Sequence, residues 1–286
     1  MISRELVLSE NIHLQKIFIP TVKRINKQIT YNQLPDELKE KVCFVVQEWE
    51  RDQYKFDAEY LVLPEKINLD NPKAIAETRK VIYQTGKNMK YSVLDDDIIF
   101  ARRNRKYWTG VSNMKMSKRK CSREDILEMF DQFNTWLDEP DVSICGCAIS
   151  KNPPSKTPFL KNGSVASVFW INGQDFAHEL DSMNLTATGI AEDVIFILSC
   201  LTRGYGTKIS QEFIILNESV DSKDIKSEIW ESKNYSEVQL DHQRIEAMFP
   251  DFFKIIYDDD GNRVPGGFRG FGKKRVEWSK AFKRSA

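Results

Sequence analysis

The sequence predicts an α/β protein whose mostly parallel central sheet is covered by helices on both faces. Apolar runs of strand length alternate with helical patterns along the first part of the chain. Those runs are apolar almost throughout rather than at every second residue, which is typical of strands buried on both faces. The chain has 286 residues, enough for one large domain. We therefore expect a single domain over residues 1–286, built on one sheet.

Four apolar runs supply the first strands, at positions 16–20, 42–47, 60–64 and 91–94. Helical spacing is present at 30–40 and at 73–85, where Gly86 ends the pattern. Ligands of parallel sheets bind beyond the carboxyl ends of the strands. The polar residues that follow the four runs are therefore expected to lie together: Pro20 and Thr21, Gln47, Pro64 and Glu65, and the triplet Asp95, Asp96 and Asp97.

The rest of the chain contains elements of the same kinds. Strands are expected at 142–149, 164–172, 208–216 and 252–257, and helices at 123–137, 194–201 and 236–249. Residues 151–163 contain an Asn-Pro-Pro-Ser sequence and predict a flexible connection. Residues 102–120 are basic and aromatic with little periodicity, so a loop is expected there.

The acidic triplet after the fourth strand is the main candidate for a functional site. Burying carboxylates costs free energy unless a cation or hydrogen-bond donors compensate their charge. A strand that ends at Asp95, Asp96 and Asp97 therefore indicates a metal and phosphate site, and the alternative is a solvated acidic turn. A second triplet, 258–260, is followed by Gly261 and Asn262, so we expect an ordinary turn there.

Positive charge is concentrated in two segments, although the 42 basic and 42 acidic residues of the chain balance. One segment lies between residues 102 and 123 and the other forms the tail from 268 to 286. Basic side chains gain affinity for nucleic acid by releasing counterions, and aromatic ones can stack on an exposed base. The alternative is a solvated charged face. The expected nucleic-acid contacts are Arg102, Arg103, Arg105, Lys106, Tyr107, Trp108, Lys118, Arg119, Lys120, Lys273, Lys274 and Arg275.

Other features argue against several classes of protein. Five cysteines, without zinc-site spacing, predict reduced structural thiols rather than a disulfide framework. There is no apolar run of about 18 residues, as a membrane span would need, and the N-terminus lacks the pattern of a signal peptide. We therefore expect a cytoplasmic protein without membrane contacts. Of the histidines, His242 is expected at the surface, with a role as a ligand as the alternative, and His178 is a further site candidate.

The order of these motifs resembles a glycosyltransferase of the A-type fold (GT-A), which has a Rossmann-like sheet and uses a nucleotide-sugar donor. The matching residues are strand 17–21 with Arg24, the triplet 95–97 in the D-x-D position, and the pair Glu192 and Asp193 that leads a helix. Within that superfamily the chain looks most like the phage-type, TET/JBP-associated glycosyltransferases of DNA hydroxymethylpyrimidine modification. Further matches lie at 28–32, 34–35, 60–65, 76–79 and 275–278. The resemblance covers residues 16–216 well and the tail loosely.

The resemblance implies a divalent metal, Mn²⁺ or Mg²⁺, that bridges the triplet and the diphosphate of a UDP-sugar. Asp97 would be a direct ligand, and Asp95 would face the donor or hold the metal through water. Asp96 is grouped with the donor-binding residues without a more specific role. The other donor contacts that the resemblance implies are Pro20, Thr21, Arg24 and Arg79.

The resemblance places the acceptor hydroxyl at Glu192 and Asp193, with Asp193 favoured as general base in an inverting enzyme or as positioning group in a retaining one. Acids at a helix N-terminus are also favoured by the helix dipole alone. Residues 1–100 would bind the donor, 101–250 would form the acceptor half, and 251–286 would be a basic extension. Three histidines are present in the chain, and none follows His242 as a further metal ligand.

The expected reaction is transfer of a sugar, glucose or a pentose such as arabinose, from a UDP-sugar to 5-hydroxymethylcytosine or another 5-hydroxymethylpyrimidine in double-stranded phage DNA. A base modified within a duplex has to be flipped out to reach an active site. One alternative keeps this chemistry on a protein or glycan acceptor. Another is a non-enzymatic DNA-binding protein in which the triplets are turns. The sugar, the anomeric outcome and the oligomeric state stay open.

Overall fold

The computed structural model describes residues 14–68, 71–104, 108, 117–216, 235–264 and 273–282. In chain order, the described strands are β1 (Lys16–Pro20), β2 (Val42–Gln47), β3 (Glu59–Leu63), β4 (Lys90–Leu94), β5 (Ile99–Arg103), β6 (Lys118–Lys120), β7 (Ile144–Ile149), β8 (Phe159–Lys161), β9 (Val168–Asn172), β10 (Thr207–Leu216), β11 (Phe253–Ile255) and β12 (Lys274–Val276). The described α-helices are α1 (Ile29–Gln33), α2 (Asp36–Lys39), α3 (Ala74–Gly86), α4 (Arg123–Trp136), α5 (Gly173–Phe176), α6 (Glu192–Leu201), α7 (Tyr235–Met248) and α8 (Trp278–Ala281).

A ten-stranded sheet forms the centre of the molecule, in the order β3-β2-β1-β4-β9-β7-β10-β5-β6, with β8 paired to β10. Strands β1 to β4 pair in parallel with one another, as β7 does with β10. Strand β9 lies antiparallel between β4 and β7. The predicted α/β class with a mostly parallel sheet is confirmed. The direction of β9 was not predicted, because a strand buried on both faces has the same apolar pattern in either direction.

Helices cover both faces of the sheet, as the sequence predicts. Consecutive residues of β1 enter two different cores, Phe18 on one face and Ile17 and Ile19 on the other. The core around Phe18 contains the apolar residues of α3 and α6, and the opposite core contains those of α4. The acidic triplet Asp95–Asp97, Arg79 and the pair Glu192 and Asp193, called the acceptor pair below, therefore lie on elements packed against the same sheet.

Two local features differ from the sequence-based expectation. The single helix expected at 30–40 is two short helices, α1 and α2, separated at Leu34 and Pro35. Leu34 has extended backbone angles (φ −66°, ψ 137°), as residues before proline commonly do. Strands β5 and β6 occupy both ends of the expected loop at 102–120 and pair antiparallel with each other. The β8 strand lies within the segment expected to be flexible.

Arg102 is at the centre of an internal ion-pair network. Its guanidinium donates to Glu212 at 2.7 Å, to Asp125 at 2.7 Å and to Glu128 at 2.6 Å. It also lies over the ring of Phe213, 4.8 Å from the ring centroid. The acids come from α4 and β10, far from Arg102 in sequence. The hydrogen bonds of the Arg102 guanidinium are therefore made within the protein, and we remove Arg102 from the predicted DNA contacts.

Arg103 on the same strand is also internal. Its side chain is buried and donates to the carbonyls of Gln211 at 3.2 Å and Asn152 at 2.7 Å. Burying a guanidinium requires such acceptors, because unsatisfied donors are costly away from water. Arg103 therefore ties β5 to neighbouring segments, and we remove it from the predicted DNA contacts as well.

Replacing Arg102 with Met should destabilise the fold strongly. Asp125 and Glu212 are largely buried, and the substitution would leave their charges without this counter-ion. We expect the free energy of unfolding in urea to fall by about 3–5 kcal/mol, as when one partner of a buried pair is removed. Lys120→Gln is the control, because Lys120 is exposed on β6 and its loss should cost no more than about 0.5 kcal/mol. Similar losses for the two variants would contradict the structural role of Arg102.

Candidate active site

The bend that follows β4 is held in place by α1 and by the segment before β9. The backbone N–H of Thr30 donates to the carbonyl of Asp96 at 3.0 Å, and the Thr30 hydroxyl accepts from Ile98 N–H at 2.8 Å. The N–H of Asp95 donates to the carbonyl of Ser167 at 3.0 Å. Ser167 has a positive φ of 63°, an uncommon conformation for a non-glycine residue. The acidic triplet is therefore presented by a fixed backbone rather than by a free turn.

The middle carboxylate of the triplet is directed into the protein. Asp96 is 7% exposed; its Oδ1 accepts from Arg24 Nη1 at 2.7 Å and its Oδ2 from the hydroxyl of Thr21 at 2.7 Å. Burial raises the pKa of Asp96 to about 6, and Arg24 and Thr21 oppose that rise. Both oxygens of Asp96 therefore serve to hold the turn that follows β1.

Two further side chains, for which the sequence predicted no individual role, hold the turn after β1. Gln28 Nε2 donates to the Thr21 hydroxyl at 2.8 Å and to the carbonyl of Arg24 at 2.9 Å. The phenol of Tyr54 lies 3.3 Å from the Thr21 hydroxyl. These contacts fix Thr21 and Arg24 beside Pro20, at the carboxyl end of β1. The resemblance at 28–32 pointed to Gln28, but only the fold brings Tyr54 here.

The outer carboxylates of the triplet keep more solvent contact than the middle one. The side chain of Asp97 is 14% exposed and its Oδ2 lies 3.2 Å from Arg24 Nη1. The side chain of Asp95 is 28% exposed and is ion-paired with Arg79. Each carboxylate is thus balanced by a largely buried arginine.

These two carboxylates fit a Mg²⁺ or Mn²⁺ ion, because both ions favour hard oxygen ligands and commonly take one or two carboxylates plus phosphate oxygens. Asp96 fits less well, because Arg24 and Thr21 already use both of its oxygens. Among the described residues, no three His, Cys, Asp or Glu side chains form a metal-ligand cluster. A metal held by Asp95 and Asp97 would take further oxygen ligands from the donor phosphates.

Helix α3 directs Arg79 towards the acidic edge. Arg79 and Tyr83 are four residues apart and both lie on the buried face of the helix. Tyr83 stacks on Phe196 of α6, with ring centroids 4.1 Å apart. Burial alone would lower the pKa of Arg79, but Asp95 and Glu192 hold it above its ordinary value. The Arg79 guanidinium therefore interacts with carboxylates of both the triplet and the acceptor pair.

A constrained loop presents the acceptor pair at the start of α6. Ala191, directly before Glu192, has a positive φ of 55°. A Cβ on Gly189 would lie 2.4 Å from the carbonyl oxygen of Pro72, so this position has no room for a side chain. Asp241 also accepts from the Gly189 N–H at 2.9 Å. The backbone before α6 is therefore fixed from two sides.

The pKa values of the acceptor pair are both raised. Burial raises the pKa of Glu192 to about 7, with a further contribution from Asp193 and opposition from Arg79. Burial also raises the pKa of Asp193, against the Val194 N–H that donates to it at 2.8 Å and the charge of Lys274. A general base works best with a pKa near the working pH. Raised pKa values suit both carboxyls to proton exchange, so the pair as a whole is the candidate general base.

The predicted DNA contacts of the first basic segment fall into separate groups. Arg105, Lys106 and Tyr107 lie outside the described residues. Trp108 is half-buried and its indole N–H donates to the carbonyl of Ser155 at 3.1 Å, so part of its ring surface is used internally. On the edge strand β6, Lys118 and Lys120 are exposed, and the exposed Arg119 is ion-paired with Asp125.

The predicted contacts of the tail lie on and beside β12. Lys273 and Arg275 are exposed, and Arg275 pairs with Glu277 at 2.9 Å. Lys274 between them differs, because its ammonium is within electrostatic range of Asp193. Burial of the ammonium lowers the pKa of Lys274, and the negative charge of Asp193 opposes this effect. The residue as a whole is nevertheless exposed. The fold therefore brings one tail cation to the acceptor pair.

The remaining expectations have mixed outcomes. His242 is buried at 5% exposure, so its predicted surface position is wrong; Phe253 and two cationic side chains cover it. His178 has an exposed side chain near Glu179.

The second triplet is an exposed turn closed by Asp258, as predicted, with Gly261 at a positive φ of 80°. All five cysteines are free thiols, also as predicted.

An α/β sheet with acidic side chains at the carboxyl ends of its strands and a carboxylate pair leading a helix is typical of the glycosyltransferase type of fold. Comparison with protein families is more specific, because residues 15–224 match the model of the TET-Associated Glycosyltransferase family, TAGT. The chain belongs to this family, and membership implies glycosyltransferase activity. No curated protein matches the chain.

Family membership also implies, in general terms, a nucleotide-sugar donor and a DNA-related acceptor. The fold class and the family expected from the sequence are thus confirmed. In the part of the chain that the structure describes, no helix has the length and apolar character needed to cross a membrane.

The substitution Glu192→Gln should stabilise the protein at alkaline pH. Because the folded-state pKa of about 7 exceeds the ordinary 4.5, the favourable contribution of protonated Glu192 is complete below the unfolded pKa and is lost as the pH rises through about 7. In urea denaturation, the variant should match the wild type near about pH 5 and gain about 1–3 kcal/mol near about pH 8.5. The exposed Glu65→Gln is the control and should show no such pH dependence. An equal effect of Glu192→Gln at both pH values would contradict the raised pKa.

Proposed function

We propose that this chain transfers a sugar from a UDP-sugar to the hydroxymethyl group of a 5-hydroxymethylpyrimidine in double-stranded DNA, most specifically 5-hydroxymethylcytosine. One observation carries the proposal: Arg79 joins Asp95 at the donor edge to Glu192 at the acceptor helix electrostatically. Donor and acceptor groups are therefore within electrostatic range of each other, which supports one reacting centre between them. The family shows that the chain is a glycosyltransferase, and the specific donor and acceptor are our proposal.

On the donor side, Asp97 and Asp95 would hold Mn²⁺ or Mg²⁺ together with the diphosphate. The metal would neutralise the charge that develops on the nucleoside diphosphate as the sugar departs. Arg24 would contact a phosphate of the donor, with its guanidinium held by Asp96 and its backbone by Gln28. Pro20 and Thr21 would border the nucleotide at the end of β1.

On the acceptor side, Glu192 would take the proton of the hydroxymethyl group if the reaction inverts the anomeric centre. Its pKa of about 7 suits proton exchange at neutral pH, and Arg79 stabilises the ionised form. In a retaining reaction, Glu192 and Asp193 would orient the hydroxyl instead. Both routes use the same carboxylates, and the stereochemistry of the product distinguishes them.

DNA would reach the acceptor pair with the target base flipped out of the duplex. The exposed cations Lys118, Lys120 and Lys273 are available for backbone phosphates, and the ion-paired Arg119 and Arg275 are partly so. Each phosphate contact releases a counterion, so affinity for the duplex should fall with salt. Arg102 and Arg103 do not contribute to this surface.

The metal assignment is tested with Asp97→Asn. We expect this change to lower sugar transfer by roughly 100-fold or more, the scale of losing one electrostatic contact to charge in the transition state. The matched control is Asp258→Asn in the exposed second triplet, which should leave turnover unchanged. UDP release is measured with increasing Mn²⁺ and after chelation with EDTA. Full activity in EDTA, or normal turnover of Asp97→Asn, would remove the metal proposal.

The acceptor is tested by incubating the protein with a panel of UDP-sugars and with hydroxymethylated or unmodified duplex DNA. Mass analysis of the nucleosides should detect one sugar added to the hydroxymethylated base alone. Duplex binding is measured beside it over a series of salt concentrations. Donor consumption with a protein or glycan, but not with DNA, would favour the alternative acceptor. Salt-dependent binding without transfer from any donor would favour a non-enzymatic DNA-binding protein.

A further inference from the structure

The imidazole of His242 lies between two cationic side chains. Its Nδ1 is 3.4 Å from Nη1 of Arg263, and its Nε2 is 3.5 Å from Nζ of Lys274. The ring is buried, and its centroid lies 6.0 Å from that of Phe253. Burial and the two cations lower the pKa of His242 to about 4, so the ring is neutral at physiological pH.

A neutral imidazole does not satisfy both of these neighbours. One ring nitrogen carries a hydrogen and donates, whereas the other accepts. Guanidinium and ammonium groups are donors without acceptor capacity. In either tautomer, therefore, one N–H of His242 faces another donor, from Arg263 or from Lys274. An acceptor oxygen placed between the two donors would receive hydrogen bonds from both.

The adjacent carboxylate in the sequence does not supply that oxygen. Asp241 accepts from Gly189 N–H at 2.9 Å through one oxygen and from Arg244 at 2.9 Å through the other. Its charge is thus used to hold the loop before α6. The buried imidazole, Arg263 and Lys274 therefore still require an acceptor oxygen.

Within the part of the chain that the structure describes, neither cation has a close counter-ion. Asp193 attracts Lys274 electrostatically, but Lys274 forms no ion pair within the described ranges. The second guanidinium nitrogen of Arg263 donates to the carbonyl of Gln239 at 3.0 Å, which is a neutral acceptor. The cluster therefore combines two positive charges with a buried ring that needs an acceptor. A negatively charged oxygen ligand meets both needs.

We propose that Arg263, Lys274 and His242 bind a phosphate group of a substrate. A phosphate oxygen accepts from Arg263 or Lys274 and from the adjoining ring N–H, and its charge balances the cations. Because Lys274 interacts with Asp193, the bound phosphate would lie towards the acceptor pair. The identity of the phosphate rests on the proposed function. It belongs to the diphosphate of the donor or to the backbone of the acceptor DNA.

The site is tested first with inorganic pyrophosphate, which requires no sugar transfer. The chain has three histidines, so protein labelled with ¹⁵N in the imidazole rings gives few signals, and His242→Gln identifies those of His242. Pyrophosphate should shift the His242 signals in a saturable way and leave those of the exposed His178 unchanged. No shift up to about 10 mM, tenfold above a weak Kd of about 1 mM, would overturn the proposal.

Two variants separate a phosphate site from a general effect of added anions. Lys274→Met should abolish the His242 shift, because it removes one cation of the site. Lys254→Gln is the matched control, since Lys254 is an exposed lysine on the paired strand β11, and it should keep the shift. A urea-unfolding transition like that of the wild type verifies that each variant is folded. A shift that survives Lys274→Met would overturn the proposal.

The source of the phosphate is then determined by comparing the wild type with Lys274→Met. Affinity for UDP that falls about tenfold, the scale of one charged hydrogen bond, assigns the donor diphosphate. A salt slope of duplex affinity that is smaller by about 0.9 assigns a DNA phosphate, because one contact is lost. Unchanged affinity for both overturns the proposal. A pyrophosphate response without transfer to any acceptor refutes the proposed function and still supports the phosphate site.

Discussion

The buried guanidinium of Arg79 balances carboxylates from two separate parts of the chain. It is ion-paired with Asp95 after β4 and interacts with Glu192 at the start of α6. Uncompensated buried charges cost several kcal/mol, so these acids can lie near each other only with a cation among them. Helix α3 provides this cation from its buried face, where Tyr83 stacks on Phe196 of α6. The packing of two helices thus fixes the electrostatics of the proposed site.

The three aspartates after β4 share one motif but have two different environments. Asp96 is directed inward and holds Thr21 and Arg24, whereas Asp95 and Asp97 keep contact with solvent. The bend after β4 accounts for this difference, because it turns Asp96 towards the residues that follow β1 and leaves Asp95 and Asp97 nearer the surface. The motif therefore combines a buried brace for the turn after β1 with two carboxylates that are suited to a metal and diphosphate. The exposed second triplet has no such brace and closes an ordinary turn.

Several basic residues have roles in the folded protein that differ from those predicted from the charge pattern of the sequence. Arg102 and Arg103 belong to a basic run, yet acids and carbonyls from distant elements surround them. Lys274 belongs to a basic tail, yet it lies beside His242 and within range of Asp193. Counting charges along the chain identified residues that can contact phosphates. It did not identify which of them the protein uses for itself.

The sequence by itself determined the α/β class, nearly all of the longer helices and strands, and the candidate residues at the strand ends. Those features depend on local apolar periodicity, helix caps and motif order, which neighbouring residues encode. Only the tertiary structure decided the antiparallel place of β9, the inward direction of Asp96, the burial of His242 and the capture of Arg102 by three acids. Each of these depends on a partner far away in the chain. A pattern read along one segment contains no information about that partner, so folding alone selects the contact.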